Sequence, residues 1–154
     1  MNFKQDENNQ QLQEMYRDFT EKEVKPIAKE IDENMRFPEE NIPKMAKMGL
    51  LGIPFPEEYG GAGMDTLSYI QCIEELSKCC ATTGVIVSAH TSLCATPIYT
   101  YGTEQQKEKY LKPLASGKKL GAFALTEPVA GTDASMQKST AVLEGDHYVL
   151  KDRK

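Results

Sequence analysis

The chain has 154 residues, 40% of them hydrophobic and 27% charged, and a formal charge of -5. That length makes one ordinary domain, burying about two thirds of its unfolded surface, and the acidic balance gives no electrostatic basis for nucleic acid or an anionic membrane as a partner. The polar start, residues 1–11, lacks the basic and apolar regions of a secretory signal, so a cytoplasmic or equivalent compartment is expected. Cys72, Cys79, Cys80 and Cys94 match no zinc or redox spacing, and His90 and His147 are too isolated to complete one, which predicts reduced thiols and no metal.

From Gln11 the apolar residues Leu12, Met15, Tyr16, Phe19, Val24, Ile27, Ala28 and Ile31 recur at steps of three and four, the stripe of one long helix, with Pro26 placed to kink it. A second helix is predicted to start near Pro38, run through Ile42, Met45 and Met48, and stop at Gly49. Gly52 to Met64, with two prolines and "YGGAG", reads as a tightly turning loop. Asp65 is a good N-cap for a third helix, whose inner face is expected to carry Leu67, Ile70, Ile73 and Leu76, with Gln71, Glu74, Glu75 and Lys78 outward.

"ATTGVIVSAHTSLCATPIYTY", Ala81 to Tyr101, has no charged residue on any face and predicts a buried central helix. Its hydroxyls, histidine and Pro97 argue against a membrane span. Gly102 stops that helix. Thr103 and Gln106 have the spacing of a capping box for the next helix, mostly exposed, which Gly117 ends. After residue 117 the pattern changes: "KLGAFAL" reads as a short strand, and "STAVLEGDHYVL" as two strands joined by a tight turn at Glu144 to Asp146. Helices followed only by the opening strands of a sheet leave unpaired edges, so the chain is expected to be cut short.

Between these regions lies "LTEPVAGTDAS". Pro128 biases Glu127 toward extended geometry and ends the strand sharply, Gly131 permits close backbone approach, and Thr126, Thr132, Asp133 and Ser135 set short polar groups around free main-chain donors. Such a loop either cradles an anion or is an ordinary capped turn; one Gly-Thr pair does not separate the two.

"FALTEPVAGTDAS" resembles the flavin-binding signature of the acyl-CoA dehydrogenases, Leu-Thr-Glu-Pro, two small residues, Gly-Thr or Gly-Ser, then Asp. The resemblance extends in the family's order to "GLLGIPFPEEYGGAGMD", "SLCATPIYTYG", "YGTEQQKEKYLKPLASG" and "YVL", nearly the whole chain, and leans toward the short-chain, butyryl-CoA dehydrogenase type. It implies a mainly α fold with a small β part: an up-down, bundle-like helical domain over residues 1–117, then a truncated middle β-domain over 118–154. It also implies α,β-dehydrogenation of a short-chain acyl-CoA with FAD, electrons passing to an electron-transferring flavoprotein, and a homo-oligomeric complete enzyme.

Carried onto matching positions, the resemblance sets the backbone at Phe123 and Leu125 and the hydroxyl of Thr126 against the flavin ring. It sets Gly131 and Thr132 near the FAD diphosphate, Thr132 also near the pantetheine arm, and Ala89 and Leu93 beside the acyl cavity, a role for which plain core packing is an equal alternative. The catalytic glutamate of the family is expected beyond residue 154, leaving no catalytic residue here; Glu127 and Asp133 read as structural, and His90 as a core or interface histidine. Two features depart from the family pattern. Met136 stands where a small residue is usual, and "KDRK" replaces the Asn-Gly turn that usually follows "YVL". Two alternatives accompany this reading, a non-catalytic helical interaction module and one half of a split dehydrogenase.

Overall fold

The computed structural model describes residues 7–151. Within that range the chain forms two compact units, one running through Ala122 and the other starting at Phe123. The first is helical. Its elements are α1 (Glu7–Phe19), α2 (Lys25–Glu33), α3 (Asn41–Lys47), α4 (Thr66–Cys79), α5 (Ala81–Ser88), α6 (Thr96–Tyr101), α7 (Glu104–Gln106) and α8 (Lys112–Ala115). The "KDRK" departure lies, after Lys151, outside the described residues, as do the first six residues of the polar start.

Three of the joints between these helices share one cause. A proline inside a helix has no N–H for the carbonyl four residues back, and its ring crowds that carbonyl. Ahead of Pro26 the helix widens into a π turn, Thr20–Val24, and the Lys25 N–H reaches back to Thr20 O. Ahead of Pro97 the wide turn is Ala89–Ala95, with the Thr96 N–H donating to Thr91 O. Ahead of Pro113 it is Lys107–Leu111, with the Lys112 N–H donating to Lys107 O. In each case the backbone on both sides stays helical, so the predicted long helices are continuous and the proline spaces out the turn before it instead of breaking the rod.

The punctuation follows the sequence closely. Asp65 caps α4, its carboxylate accepting the Ser68 N–H at 2.8 Å. Thr103 and Gln106 form the reciprocal capping box, with the Thr103 N–H donating to Gln106 Oε1 at 2.8 Å. Gly49 and Gly117 take the left-handed conformations, φ 73° and 71°, that end the second and last helical stretches. The helix expected at Pro38 starts instead at Asn41: Pro38 accepts the Asn41 N–H in a preceding turn, and the α-helical ladder begins only after it.

Two apolar cores fill the helical unit. Tyr16, Phe19, Val24, Met45, Leu50, Leu51, Ile53, Tyr69, Cys72, Leu76, Cys80 and Val87 form the first, and Phe55, Tyr59, Ala95, Leu111, Leu114 and Ala115 the second. The loop between α3 and α4 is thus itself core material, delivering Ile53 to one cluster and Phe55 and Tyr59 to the other. A Cβ on Gly61 would stand 2.1 Å from the Phe55 carbonyl oxygen, so only glycine lets this loop fold onto itself.

Two expectations about helix faces are corrected. On α4 the buried residues are Ser68, Tyr69, Gln71, Cys72, Glu75 and Leu76, while Leu67 and Ile70 are about half exposed. The Tyr69, Cys72, Leu76 row wins because α4 packs against α1 through polar contacts as well. Ser68 Oγ donates to Asn9 Oδ1, and the buried Glu75 carboxylate accepts from Gln13 Nε2 at 2.8 Å and pairs with Arg17 and Lys78. The central helical stretch from Ala81 to Tyr101 is buried along one side only: Thr83, Gly84, Val87, His90, Thr91 and Ala95 face inward, whereas Val85 is 62% and Leu93 45% exposed. Lack of charge on this helix does not mean burial within the unit.

In the second unit, β1 (Thr140–Glu144) and β2 (His147–Lys151) pair antiparallel, Val142 opposite Val149, around a two-residue turn in which Gly145 has φ 67°. This is the predicted hairpin. The strand expected at "KLGAFAL" does not form: the segment has no regular structure, because among the described residues no strand supplies it with a ladder. The fold is mainly α with one small two-stranded sheet.

Candidate functional site

The signature loop is organised by one closed turn. The Glu127 N–H donates to Ala130 O at 3.0 Å and the Ala130 N–H returns to Glu127 O at 3.1 Å, with Pro128 and Val129 as the central residues. Thr126 and Gly131 flank this closed pair on either side, so the turn sets the two residues that the resemblance assigns to the flavin at its two ends. Thr132 follows directly, while Phe123 and Leu125 lie just before the turn and remain about half exposed.

Glu127 is committed elsewhere. Its carboxylate is buried and accepts the Lys138 N–H at 2.6 Å, the Ser139 N–H at 3.2 Å and the Ser139 hydroxyl, tying the turn to the segment entering β1. Asp133 accepts the Ser135 N–H at 3.0 Å and caps the short 3-10 turn Ala134–Met136. Gln137 Nε2 donates to Leu125 O at 2.6 Å, a link twelve residues long that no local pattern in the sequence signals. Met136, the departure from the family pattern, is 53% exposed and so does not crowd the loop.

The loop's remaining groups are unspent. Among the described residues, the Thr126 hydroxyl and the main-chain N–H groups of Gly131 and Thr132 have no hydrogen-bond partner. Gly131 has no reason of its own to be glycine: its φ is not positive, and a Cβ there would meet nothing within 4 Å. A residue that the fold leaves free to carry any side chain, beside two unpaired donors, fits a ligand whose surface comes up to the backbone. No lysine or arginine lies between Gly121 and Gln137, so the donors that this loop offers are N–H dipoles and hydroxyls.

Ala89 and Leu93 stand apart from this loop in sequence, on the wide turn of the helical unit. With Val85 they form a row at four-residue spacing on the open side of the helix, Ala89 partly buried and Leu93 exposed. Small and branched apolar groups along an uncharged open row suit an apolar chain, not a charged one. His90, one residue on, turns inward and is completely buried, as expected of a core histidine. Among the described residues no group of three or more histidine, cysteine or carboxylate side chains is placed to hold a metal, all four cysteines are free thiols, and no helix is long and apolar enough to cross a membrane.

The family model described as acyl-CoA dehydrogenase, N-terminal domain, matches residues 6–118. The chain belongs to the acyl-CoA dehydrogenase family. It is 64% identical over 143 residues to a short-chain specific acyl-CoA dehydrogenase of Clostridium acetobutylicum, a match covering 93% of this chain and 38% of the relative. Among solved structures, butyryl-CoA dehydrogenase from Megasphaera elsdenii superposes with a TM-score of 0.92 at 44% identity, covering 99% of this chain and 41% of that one. An acyl-CoA dehydrogenase complexed with FAD from Bacillus anthracis gives 0.89 at 36% identity, covering 96% and 26%. The chain thus spans about two fifths of the length of the short-chain relatives it matches. The acyl-CoA dehydrogenase resemblance read from the sequence, including its short-chain leaning, is borne out.

Proposed function

We propose that this chain is the flavin- and acyl-facing N-terminal part of an enzyme that removes two hydrogens across the α and β carbons of a short-chain acyl-CoA. The observation that carries this reading is that the Thr126 hydroxyl and the N–H groups of Gly131 and Thr132, at the two ends of one closed turn inside the family's signature, have no partners among the described residues. The 64% identity to a short-chain specific relative supports the substrate class.

When bound, FAD supplies the acceptor for the hydride. Thr126 would hold the flavin's redox edge by a hydrogen bond from its hydroxyl, a donor suited to charge at that edge. The main-chain N–H groups of Gly131 and Thr132 bind diphosphate oxygens without desolvating a lysine, and Thr132 also borders the pantetheine arm. The main chain at Phe123 and Leu125 would hold the ring, and Ala89 and Leu93 would border the acyl tail, limiting its length. No base is assigned to these residues; the proton acceptor comes from beyond residue 154, with Glu127 held in its turn by Lys138 and Ser139. On the family resemblance, the complete enzyme is a cytoplasmic homo-oligomer that hands electrons to an electron-transferring flavoprotein. Its helical domain occupies residues 1–117, and its middle domain opens at 118.

The test joins residues 1–154 to the remaining length of the Clostridium acetobutylicum relative and titrates the purified chimera with butyryl-CoA under anaerobic conditions. Bound yellow flavin that bleaches on addition of butyryl-CoA is expected, and loss of bleaching on Thr126→Val exceeding any loss of flavin content. A folded chimera that neither holds FAD nor bleaches refutes the proposal.

A further inference from the structure

His90 lies on the wide turn Ala89–Ala95, which also carries Ala89 and Leu93, yet its ring points the other way and is 0% exposed. Its Nδ1 accepts the main-chain N–H of Gly121 at 2.9 Å. A ring nitrogen that accepts carries no proton, so the neutral imidazole holds its hydrogen on Nε2. Burial pushes the pKa down, with the main-chain groups of Leu114 and Leu51 acting in the other direction, which keeps the ring neutral and its Nδ1 an acceptor at neutral pH.

Gly121 is held a second way. A Cβ built on it would come 2.5 Å from Cys94 Sγ, 2.9 Å from Cys94 Cβ and 3.3 Å from a Leu114 methyl, so the N–H reaches the imidazole only because the residue has no side chain. Gly121 is also two residues before Phe123, where the segment assigned to the flavin begins. The residues between and after them, 122–126, have no sheet partner among the described residues. Gly121 is therefore the last residue before that stretch with a hydrogen bond to the helical unit.

We propose that His90 is a positioning residue: by accepting the Gly121 N–H it pins the point at which the main chain enters the flavin-facing segment to the same helical turn that carries the acyl-facing Ala89 and Leu93. What the segment faces rests on the function proposed above; the anchor itself does not. A buried contact to a single acceptor is suited to fixing one point of the main chain. The burial of His90 keeps the contact away from solvent.

The experiment uses the 15N-labelled chain for the anchor and the chimera with FAD for its purpose. The ring nitrogens of His90 are expected to report the Nε2–H tautomer, and the Gly121 amide to exchange slowly. His90→Leu should speed Gly121 exchange by roughly tenfold or more and shift the amides of residues 121–126, leaving those of α4 in place. His90→Asn, whose side-chain oxygen lies near the position of Nδ1, should restore most of the protection. An Nδ1–H tautomer in the unaltered chain, a Gly121 amide indifferent to His90→Leu, or an Asn variant no better than Leu would each overturn the positioning role. FAD is added to the chimera described above, where His90→Leu should weaken its binding. A folded chimera that holds no FAD, while the Gly121 amide of the chain still depends on His90, refutes the flavin reading and the purpose given to the anchor but not the anchor itself.

Discussion

Gly84 offers a test of how the central helix is seated, because two opposing effects of known size meet there. It lies inside α5 where that helix crosses α4, and a Cβ on it would stand 2.0 Å from Ser77 Oγ, 3.2 Å from Ser77 Cβ and 3.4 Å from the Ile73 carbonyl oxygen. Replacing a mid-helix glycine by alanine gains about 0.8–1 kcal/mol of helix propensity. Against that, the exposed Ser77 hydroxyl can rotate aside but its Cβ cannot, so the helices must separate, and overpacking of this kind costs about 1–3 kcal/mol. Gly84→Ala is therefore expected to lose about 1 kcal/mol net, a fall in Tm of about 2–4 °C for a chain of this size. In a Ser77→Gly background the tight Cβ contact is gone and only the 3.4 Å approach to Ile73 remains. There the same substitution should become favourable by about 0.5–1 kcal/mol, a coupling of roughly 2 kcal/mol between the two sites. Urea denaturation of the four proteins, followed by circular dichroism, measures all the terms. A Gly84→Ala protein as stable as the parent, or two substitutions that simply add, would refute the claim that α4 and α5 cross in close contact at this glycine.

Other substitutions separate stability from ligand binding. Burial pushes the Glu75 carboxyl up, but hydrogen bonds from Lys78, Gln13 and Arg17 outweigh it and hold the pKa below the ordinary value. Its stabilisation is therefore complete above the unfolded carboxylate value and is lost as pH falls through the lowered folded value. Glu75→Gln should flatten the acid limb of the stability curve below about pH 4.5, and Glu75→Ala should cost about 1.5–3 kcal/mol at pH 7; unchanged urea midpoints at both pH values would contradict this. Gly131→Ala should leave the Tm within about 1 °C of the parent, since its Cβ meets nothing within 4 Å and its φ is not positive. In the butyryl-CoA-responsive chimera the same change should weaken FAD binding by about tenfold or more by blocking the approach to the backbone, and equal FAD affinity in a fluorescence titration would remove the ligand argument for that glycine.

Much of the helical unit was legible because its ends are written in residues with one strong local preference. Asp65, the Thr103–Gln106 pair, Gly49 and Gly117 act through their own backbone and nearest neighbours, so no knowledge of the fold is needed to place them. Pro26 showed where one helix is distorted, and Pro97 and Pro113 carried the same signal. Helix faces were harder to read. On α4 two rows compete, and the more hydrophobic one, with Leu67 and Ile70, is the one left open. What decides the rotation is the complement offered by α1, where Asn9, Gln13 and Arg17 meet Ser68 and Glu75. Those are partners about sixty residues away, beyond any window of periodicity.

The same distinction between local and distant information explains the site. The turn Glu127–Ala130 was legible in Thr-Glu-Pro and in the glycine after it, because proline dictates its own geometry and that of the residue before. The anchors were not: Gln137 on Leu125, Lys138 and Ser139 on Glu127, and His90 on Gly121 are contacts across eleven to thirty-one residues. These links assign opposite roles to neighbouring polar groups. Glu127, the most conspicuous charge in the loop, is saturated and holds the turn shut, whereas Thr126 and the N–H groups of Gly131 and Thr132, less conspicuous by composition, are left unpaired. A loop that spends its carboxylate on its own backbone while leaving a hydroxyl and two N–H donors unpaired is complementary to electron-rich acceptors such as phosphate oxygens and ring nitrogens. Neutralising the carboxylate should therefore loosen the turn before it alters the chemistry, and removing the Thr126 hydroxyl should do the reverse.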